Sequence, residues 1–89
     1  MNATFDSTKD AANLAKQGVS LAEAGRLDWD NALVATDRRQ PYGEERQVAL
    51  APMDDRLWVV VFTERPEGRR IISLRKANLR EYRCYEQAP

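Results

Sequence analysis

The sequence predicts an α+β fold: two short helices, then a four-stranded antiparallel meander sheet, then a final helix. Capping residues precede alanine- and leucine-rich segments near the amino end, apolar segments separated by short turns follow, and a capped polar segment comes last. Short turns join neighbouring strands antiparallel, and helices kept apart from such strands are typical of the α+β class. At this length we expect residues 1–89 to form a single domain.

Two helices are predicted in the amino-terminal part. Ser7, followed three residues later by an acid, resembles a capping box that opens a helix over about 8–16, which closes before Gly18. Ser20 repeats this signal and predicts a second helix over about 21–28. The second helix has few exposed bases, so we interpret the pair as a structural corner and not as a DNA reader.

Four strands are predicted at about 33–36, 46–51, 57–63 and 70–75, with turns at 40–43, 52–55 and 66–68. The third strand is apolar without alternation, so it should be central and covered on both faces. In the fourth, alternation places Ile72 and Leu74 on one face. Ile71, Ser73 and Arg75 would then point to the other face.

A final helix is predicted from Asn78, which caps it together with Glu81, to about residue 87. The two tryptophans are expected to be structural. Trp58 should lie in the core because it belongs to the central strand, and Trp29 should cover the edge of the core.

The composition excludes several function classes. The chain has no histidine and one cysteine, Cys84, which argues against zinc, iron and imidazole chemistry and fits a reducing compartment such as the cytoplasm. The aspartates at 28, 30, 54 and 55 match no calcium loop and suit caps and turns. No apolar run approaches a membrane span and no signal peptide is recognisable. We therefore expect no metal, no cofactor and no membrane contact.

Positive charge is concentrated at residues 69–83, which hold six bases and one acid in a chain of zero net charge. Arg75 and Lys76 should gather at the edge of the sheet where the fourth strand ends. Arg80 and Arg83, three residues apart, share a face of the final helix. Guanidinium groups grip phosphate through paired hydrogen bonds, so this stretch is a candidate RNA site. The alternative is a solvated basic face.

Two further groups have open interpretations. Tyr82 and Tyr85 either stack on unpaired bases or pack on the sheet. Arg46, Glu64 and Arg65 either approach the basic surface or are edge-strand charges that discourage aggregation.

Six segments of the sequence resemble the BrnT toxins, the ribonuclease partners of bacterial type II toxin–antitoxin pairs. They read Phe5-Asp6; Asn13-Leu14-x-Lys16-x-Gly18-Val19-Ser20-Leu21-x-Glu23-Ala24; Gly43-Glu44-x-Arg46; Thr63-Glu64-Arg65; Arg70-Ile71-Ile72-Ser73-x-Arg75-Lys76-Ala77; and Glu81-x-x-x-Tyr85. The resemblance implies a RelE-like fold, RNA cleavage in the cytoplasm, and a BrnA-like ribbon-helix-helix antitoxin through which the complex contacts operator DNA. The family usually reads Lys-His-Gly-Val where this chain has Gln17 in place of the histidine.

The residues and the resemblance together predict an endoribonuclease in which a ribose 2′-hydroxyl attacks the adjacent phosphate and arginines stabilise the developing charge. The predicted catalytic residues are Arg65 and Arg75 as phosphate clamps, with Lys76 and Glu64 moving protons; the predicted substrate contacts are Arg46, Arg80, Arg83 and Tyr85. A lysine base would need a pKa well below its usual value of about 10.4. The alternative function is a weak or inactive toxin homologue that acts as an antitoxin-binding co-repressor or an RNA-binding module.

Overall fold

A computed structural model describes residues 3–37 and 45–89. The strands are β1 (Ala3–Phe5), β2 (Leu33–Asp37), β3 (Arg46–Met53), β4 (Arg56–Arg65) and β5 (Gly68–Lys76); the helices are α1 (Ser7–Gln17) and α2 (Leu79–Gln87), with 3₁₀ helices at Leu21–Arg26 and Trp29–Asn31. The predicted turn at 40–43 and the Gly43-Glu44 part of the family motif lie outside the described residues. Among the described residues, no helix is long and apolar enough to cross a membrane.

The sheet confirms the α+β class and corrects its details. Its strand order is β1-β5-β4-β3-β2, so the predicted strands β2 to β5 form the expected antiparallel meander with β4 in its middle. The prediction of four antiparallel strands was wrong because β1 adds a fifth strand, parallel to β5. Three residues are too few to show alternation, which is why β1 left no readable pattern in the sequence.

The first helix is confirmed with a different cap. Asp6, and not Ser7, accepts hydrogen bonds from the backbone N–H groups of Thr8 and Lys9. The acid at the third position of the expected capping box, Asp10, instead accepts from the Ser20 hydroxyl and the Leu21 N–H. Asp10 thereby ties α1 to the start of the next helical segment.

The second predicted helix is a short 3₁₀ helix, Leu21–Arg26, which buries Leu21 and Ala24. Ser20 is its N-cap as predicted, accepting from the Ala22 N–H. Six residues cannot develop an α-helix of useful length, and a tight corner favours the narrower 3₁₀ geometry. The structural corner is therefore confirmed, whereas its extent to residue 28 was wrong.

A β-bulge in β5 corrects the predicted faces of that strand. Val61 pairs with Ser73, but the next residue of β4, Phe62, pairs with Ile71, so Ile72 is the extra residue. The bulge brings Ile71 and Leu74 to the same face, where both are fully buried. The expectation that Ile72 and Leu74 share a face was wrong because simple alternation cannot include an extra residue.

The sheet has an apolar cluster on each face. One face, which we call the 3₁₀ face, carries Val60 and Phe62. It is covered by the 3₁₀ helix Leu21–Arg26 and by Trp29, whose ring meets Phe62 edge to face at 5.2 Å. Trp58 also belongs to this cluster, so both tryptophan predictions are confirmed. The opposite face, which we call the α2 face, carries Leu57 and Val59 and is covered at one end by α2.

Candidate nucleic-acid site

Arg75 lies on β5 opposite Val59 and therefore on the α2 face of the sheet. Its guanidinium donates two hydrogen bonds to the Glu81 carboxylate, Nη1 to Oε1 at 2.9 Å and Nη2 to Oε2 at 2.7 Å. Its Nη1 also donates to the Lys76 carbonyl at 3.2 Å. The side chain is 40% exposed. Arg75 is thus held in a fixed orientation while part of it faces solvent.

Glu81 connects this arginine to the start of α2. Its Oε1 accepts the Asn78 N–H while the Asn78 side chain accepts the Glu81 N–H, which completes the predicted capping box. The hydrogen bonds from Arg75, assisted by the Asn78 N–H and the arginine charge, hold the pKa of Glu81 below its usual value although partial burial opposes this. A carboxylate with a lowered pKa is a weak base, so Glu81 orients Arg75 and is not suited to accept a proton.

A groove of about 460 Å³ lies beside this pair on the α2 face. Its lining residues are Thr36, Asp37, Val48, Val59, Val61, Ser73, Arg75 and Glu81. Valines from β3 and β4 make an apolar floor, with Thr36 and Asp37 of β2 on one side and Ser73, Arg75 and Glu81 on the other. This sheet-face groove therefore offers a flat apolar surface next to a positioned guanidinium, which suits a nucleotide better than a small apolar ligand.

The strand register brings Arg46 and Arg65 to the same face as Arg75. Arg46 pairs across from Asp37 and alternates with Val48, and Arg65 alternates with Val59 along β4. Thr63, two residues before Arg65 on β4, is 1% exposed, and its Oγ1 has no hydrogen-bond partner among the described residues. Three predicted site arginines thus share one surface.

Two other predicted residues lie on the 3₁₀ face. Glu64 accepts a 3.0 Å hydrogen bond from Arg69, whose guanidinium also stacks 4.2 Å from the Trp29 ring centroid. Lys76 is exposed and pairs across from the buried Trp58. Both proton-transfer candidates therefore lie on the opposite face of the sheet from Arg75.

The final helix presents its arginines and tyrosines differently. Arg80 and Arg83 are exposed. Tyr82 packs on the α2-face cluster and its hydroxyl accepts the Leu57 N–H at 2.8 Å, and the Tyr85 hydroxyl donates to the Asn31 carbonyl at 2.7 Å. Of the two interpretations of these tyrosines, packing on the sheet describes the structure.

A second cleft, which the sequence did not indicate, lies between α1 and the edge of β5. Its volume is about 380 Å³, and it is lined by Lys9, Ala12, Asn13, Lys16, Gln17, Ile72, Ser73 and Arg75. The spacing of seven residues between Lys9 and Lys16, which places both on one side of a helix, was the available signal. This α1–β5 cleft shares Ser73 and Arg75 with the sheet-face groove.

Within residues 3–37 and 45–89, no three acidic or cysteine side chains come together as a group that could hold a metal ion.

A comparison with protein families finds a match for this chain. A family model described as the ribonuclease toxin BrnT of the type II toxin–antitoxin system matches residues 5–81. The match runs from the last residue of β1 to the first turn of α2, so it includes Arg75, Glu81 and the residues that line both clefts. Comparison with curated proteins gives no match.

Proposed function

Because this chain belongs to the BrnT family of ribonuclease toxins of type II toxin–antitoxin systems, we propose that it cuts single-stranded RNA on the α2 face of its sheet, with Arg75 at the reacting phosphate. The observation that carries the proposal is the bidentate Arg75–Glu81 pair beside an open groove. A planar guanidinium that a carboxylate holds in position beside an open groove is suited to stabilise developing phosphoryl charge.

The proposed reaction is a transesterification. The ribose 2′-oxygen forms a bond to the adjacent phosphorus, the bond from phosphorus to the 5′-oxygen breaks, and the 2′ proton leaves while the departing 5′-oxygen gains one. The products are a 2′,3′-cyclic phosphate and a 5′-hydroxyl end. Arg75 stabilises the charge on the phosphoryl oxygens, and Arg65 and Arg46 bind the neighbouring backbone.

The proton transfers are not assigned to a side chain. Glu64 and Lys76 stay predictions from the sequence, and the sheet register gives them no place beside Arg75. Arg80 and Arg83, exposed on α2, serve in the proposal as outer phosphate contacts, and Tyr85 would contact RNA only by its ring edge because its hydroxyl is engaged with Asn31.

The family membership implies an antitoxin partner. We propose that this partner is a BrnA-like ribbon-helix-helix protein that covers the sheet-face groove, so that operator DNA is contacted through the antitoxin alone. Covering the groove would block access to Arg75 and explain neutralisation.

The test is cleavage of a single-stranded RNA by the purified protein. Arg75→Ala should lower the cleavage rate about 10²- to 10³-fold, the usual loss when a donor to the developing charge is removed. An RNA with 2′-deoxyribose at the cut position should stay intact. Arg56→Ala, which removes an exposed charge where β4 begins, is the matched control and should cleave normally.

Two results would overturn the proposal. Cleavage of the 2′-deoxy RNA would contradict attack by the 2′-hydroxyl, and full activity of Arg75→Ala would remove Arg75 from the site. Intact RNA with tight antitoxin binding would favour the co-repressor function instead, for which the observation is Gln17 in the α1–β5 cleft where the family usually has histidine.

A further inference from the structure

We propose that the α1–β5 cleft is a second RNA subsite, which binds phosphates flanking the bond cut at Arg75. The inference rests on the proposed function and adds to it the path that the bound RNA follows. The ligand is the backbone of a single-stranded RNA, and the binding groups are Lys9, Lys16 and Gln17.

The charge of the cleft is the first argument. Lys9 and Lys16 stand seven residues apart on α1, so their backbones are about 10 Å apart along the helix axis. Neither lysine forms an ion pair with any described residue. Asp10 accepts hydrogen bonds from Ser20 and Leu21, whereas Asp6 caps α1 and also attracts the Lys9 charge. Lysine ammonium groups bind phosphate as point charges.

The floor of the cleft is the second argument. The bulge removes Ile72 from the alternation of β5 and places it in the cleft with Ala12. Bulges occur often beside active sites because they redirect a side chain. Ile72 is half-buried and gives a ribose or base an apolar contact. Gln17, at the end of the cleft, carries an amide that can both donate to and accept from a 2′-hydroxyl or a base edge.

The walls of the cleft are fixed, so it exists before any ligand binds. The Asn13 amide donates to the carbonyls of Val19 and Leu74, and its oxygen accepts the Leu74 N–H at 3.1 Å. These bonds hold α1 against the part of β5 that β1 does not cover. A preformed cleft lowers the cost of ordering a flexible strand.

Continuity with Arg75 favours RNA over an acidic protein segment. Ser73 and Arg75 line both the α1–β5 cleft and the sheet-face groove. An RNA strand with one phosphate at Arg75 can therefore extend past the edge of β5 toward Lys16 and Lys9. An acidic peptide could pair with the two lysines, but it would not need the Gln17 amide or the apolar floor of the cleft.

The experiment measures binding of RNAs that cannot be cleaved. Fully 2′-O-methylated strands of about 4 and about 12 nucleotides, within the range that single-strand binders cover, are titrated by fluorescence anisotropy at several salt concentrations. The proteins are wild type, Lys9→Ala/Lys16→Ala, Arg75→Ala and the control Arg56→Ala. Circular dichroism and thermal unfolding confirm that each variant is folded.

The double lysine variant should bind the longer strand on the order of tenfold more weakly than wild type. Its slope of log affinity against log salt should fall by about 1.4, since each phosphate contact on a single strand contributes about 0.7. The short strand should bind equally to wild type and to this variant. Arg75→Ala should weaken both strands, and Arg56→Ala neither.

The two proposals fail differently. If wild type and the double lysine variant bind the long strand equally while Arg75→Ala binds it weakly, the second subsite is wrong and the proposed function stands. If wild type neither binds nor cuts RNA, the proposed function itself is wrong. If the lysine changes weaken antitoxin binding and not RNA binding, the cleft serves the protein partner and the inference is overturned.

Discussion

Asn13 shows how one buried side chain can position two elements. Its amide makes three hydrogen bonds to backbone groups, two of them to Leu74, a residue 61 positions further along the chain. Strand edges normally bond to another strand, and here an amide supplies both the donor and the acceptor that Leu74 needs. The sequence presented Asn13 only as part of a helix, because no local pattern reveals a partner so distant.

Replacing Asn13 by Ala should therefore destabilise the protein by about 2 to 4 kcal/mol, since backbone groups at Leu74 and Val19 lose their partners in a buried place. Chemical denaturation measures the change. Leu14→Ala, on the same helix but 51% exposed, is the control and should change stability little. Equal stability of wild type and Asn13→Ala would show that water replaces the amide.

Glu81 makes the free energy of unfolding depend on pH. Because its pKa is lowered in the folded protein, chiefly by hydrogen bonds from Arg75, it contributes stability at pH values above its ordinary 4.5. That contribution is lost as the pH falls from there through the lowered folded value. The unfolding free energy of wild type should thus decrease on acidification more steeply than that of Glu81→Gln, which has no charge to lose. Parallel pH profiles of the two proteins would contradict this role.

Several elements were predictable from local signals. The capping box of α2, the glycine after α1 with φ 75°, and the apolar β4 all appear in the sequence and in the structure. The bulge was unreadable because Ile71 and Ile72 are the same residue type, so composition cannot tell which one faces the core. The pairing of β1 with β5 was also not predicted, because it joins residues that are far apart in the chain and leaves no local pattern in the sequence.

The candidate site follows the same division. The concentration of bases at 69–83 drew attention to Arg75, whereas Lys9 and Lys16 belong to a segment in which acids outnumber bases. Their place beside Arg75 is set by the packing of α1 against β5, a tertiary contact. Glu64 and Arg65 adjoin in sequence, yet alternation sends them to opposite faces.

Helix α2 is attached to the sheet by its tyrosines, and this attachment is a property of the element. Tyr82→Phe leaves the Leu57 N–H, a partly buried donor, without its partner and should cost about 1 to 2 kcal/mol. Tyr85→Phe is the matched comparison, because the Asn31 carbonyl is exposed and can bond to water instead. Hydrogen exchange at the Leu57 amide reports the difference. Equal exchange rates in the two variants would contradict a specific role for Tyr82.

At the scale of the whole molecule, zero net charge conceals a division between basic and acidic segments. Arg75 lines both clefts and Lys9 and Lys16 line one of them, so the local field can attract RNA although the molecule as a whole is neutral. Attraction of this kind weakens with salt.

RNA and antitoxin should consequently exclude one another. Saturating antitoxin should abolish the anisotropy signal of a bound, non-cleavable RNA, because both partners need the sheet-face groove. Gel filtration with labelled RNA gives an independent reading. A stable ternary complex of toxin, antitoxin and RNA would place the antitoxin on another surface.

The pairing of β1 with β5 also has a consequence for synthesis. Residues 3–5 gain their strand partner when residues 69–71 have been made, and Asn13 gains its partner at Leu74 later still. Proteins emerge from the ribosome at about 5 to 20 residues per second, so the α1–β5 cleft cannot exist for most of the time that the chain is being translated. On the proposed function, the chain would therefore lack its second RNA subsite until most of it has been translated.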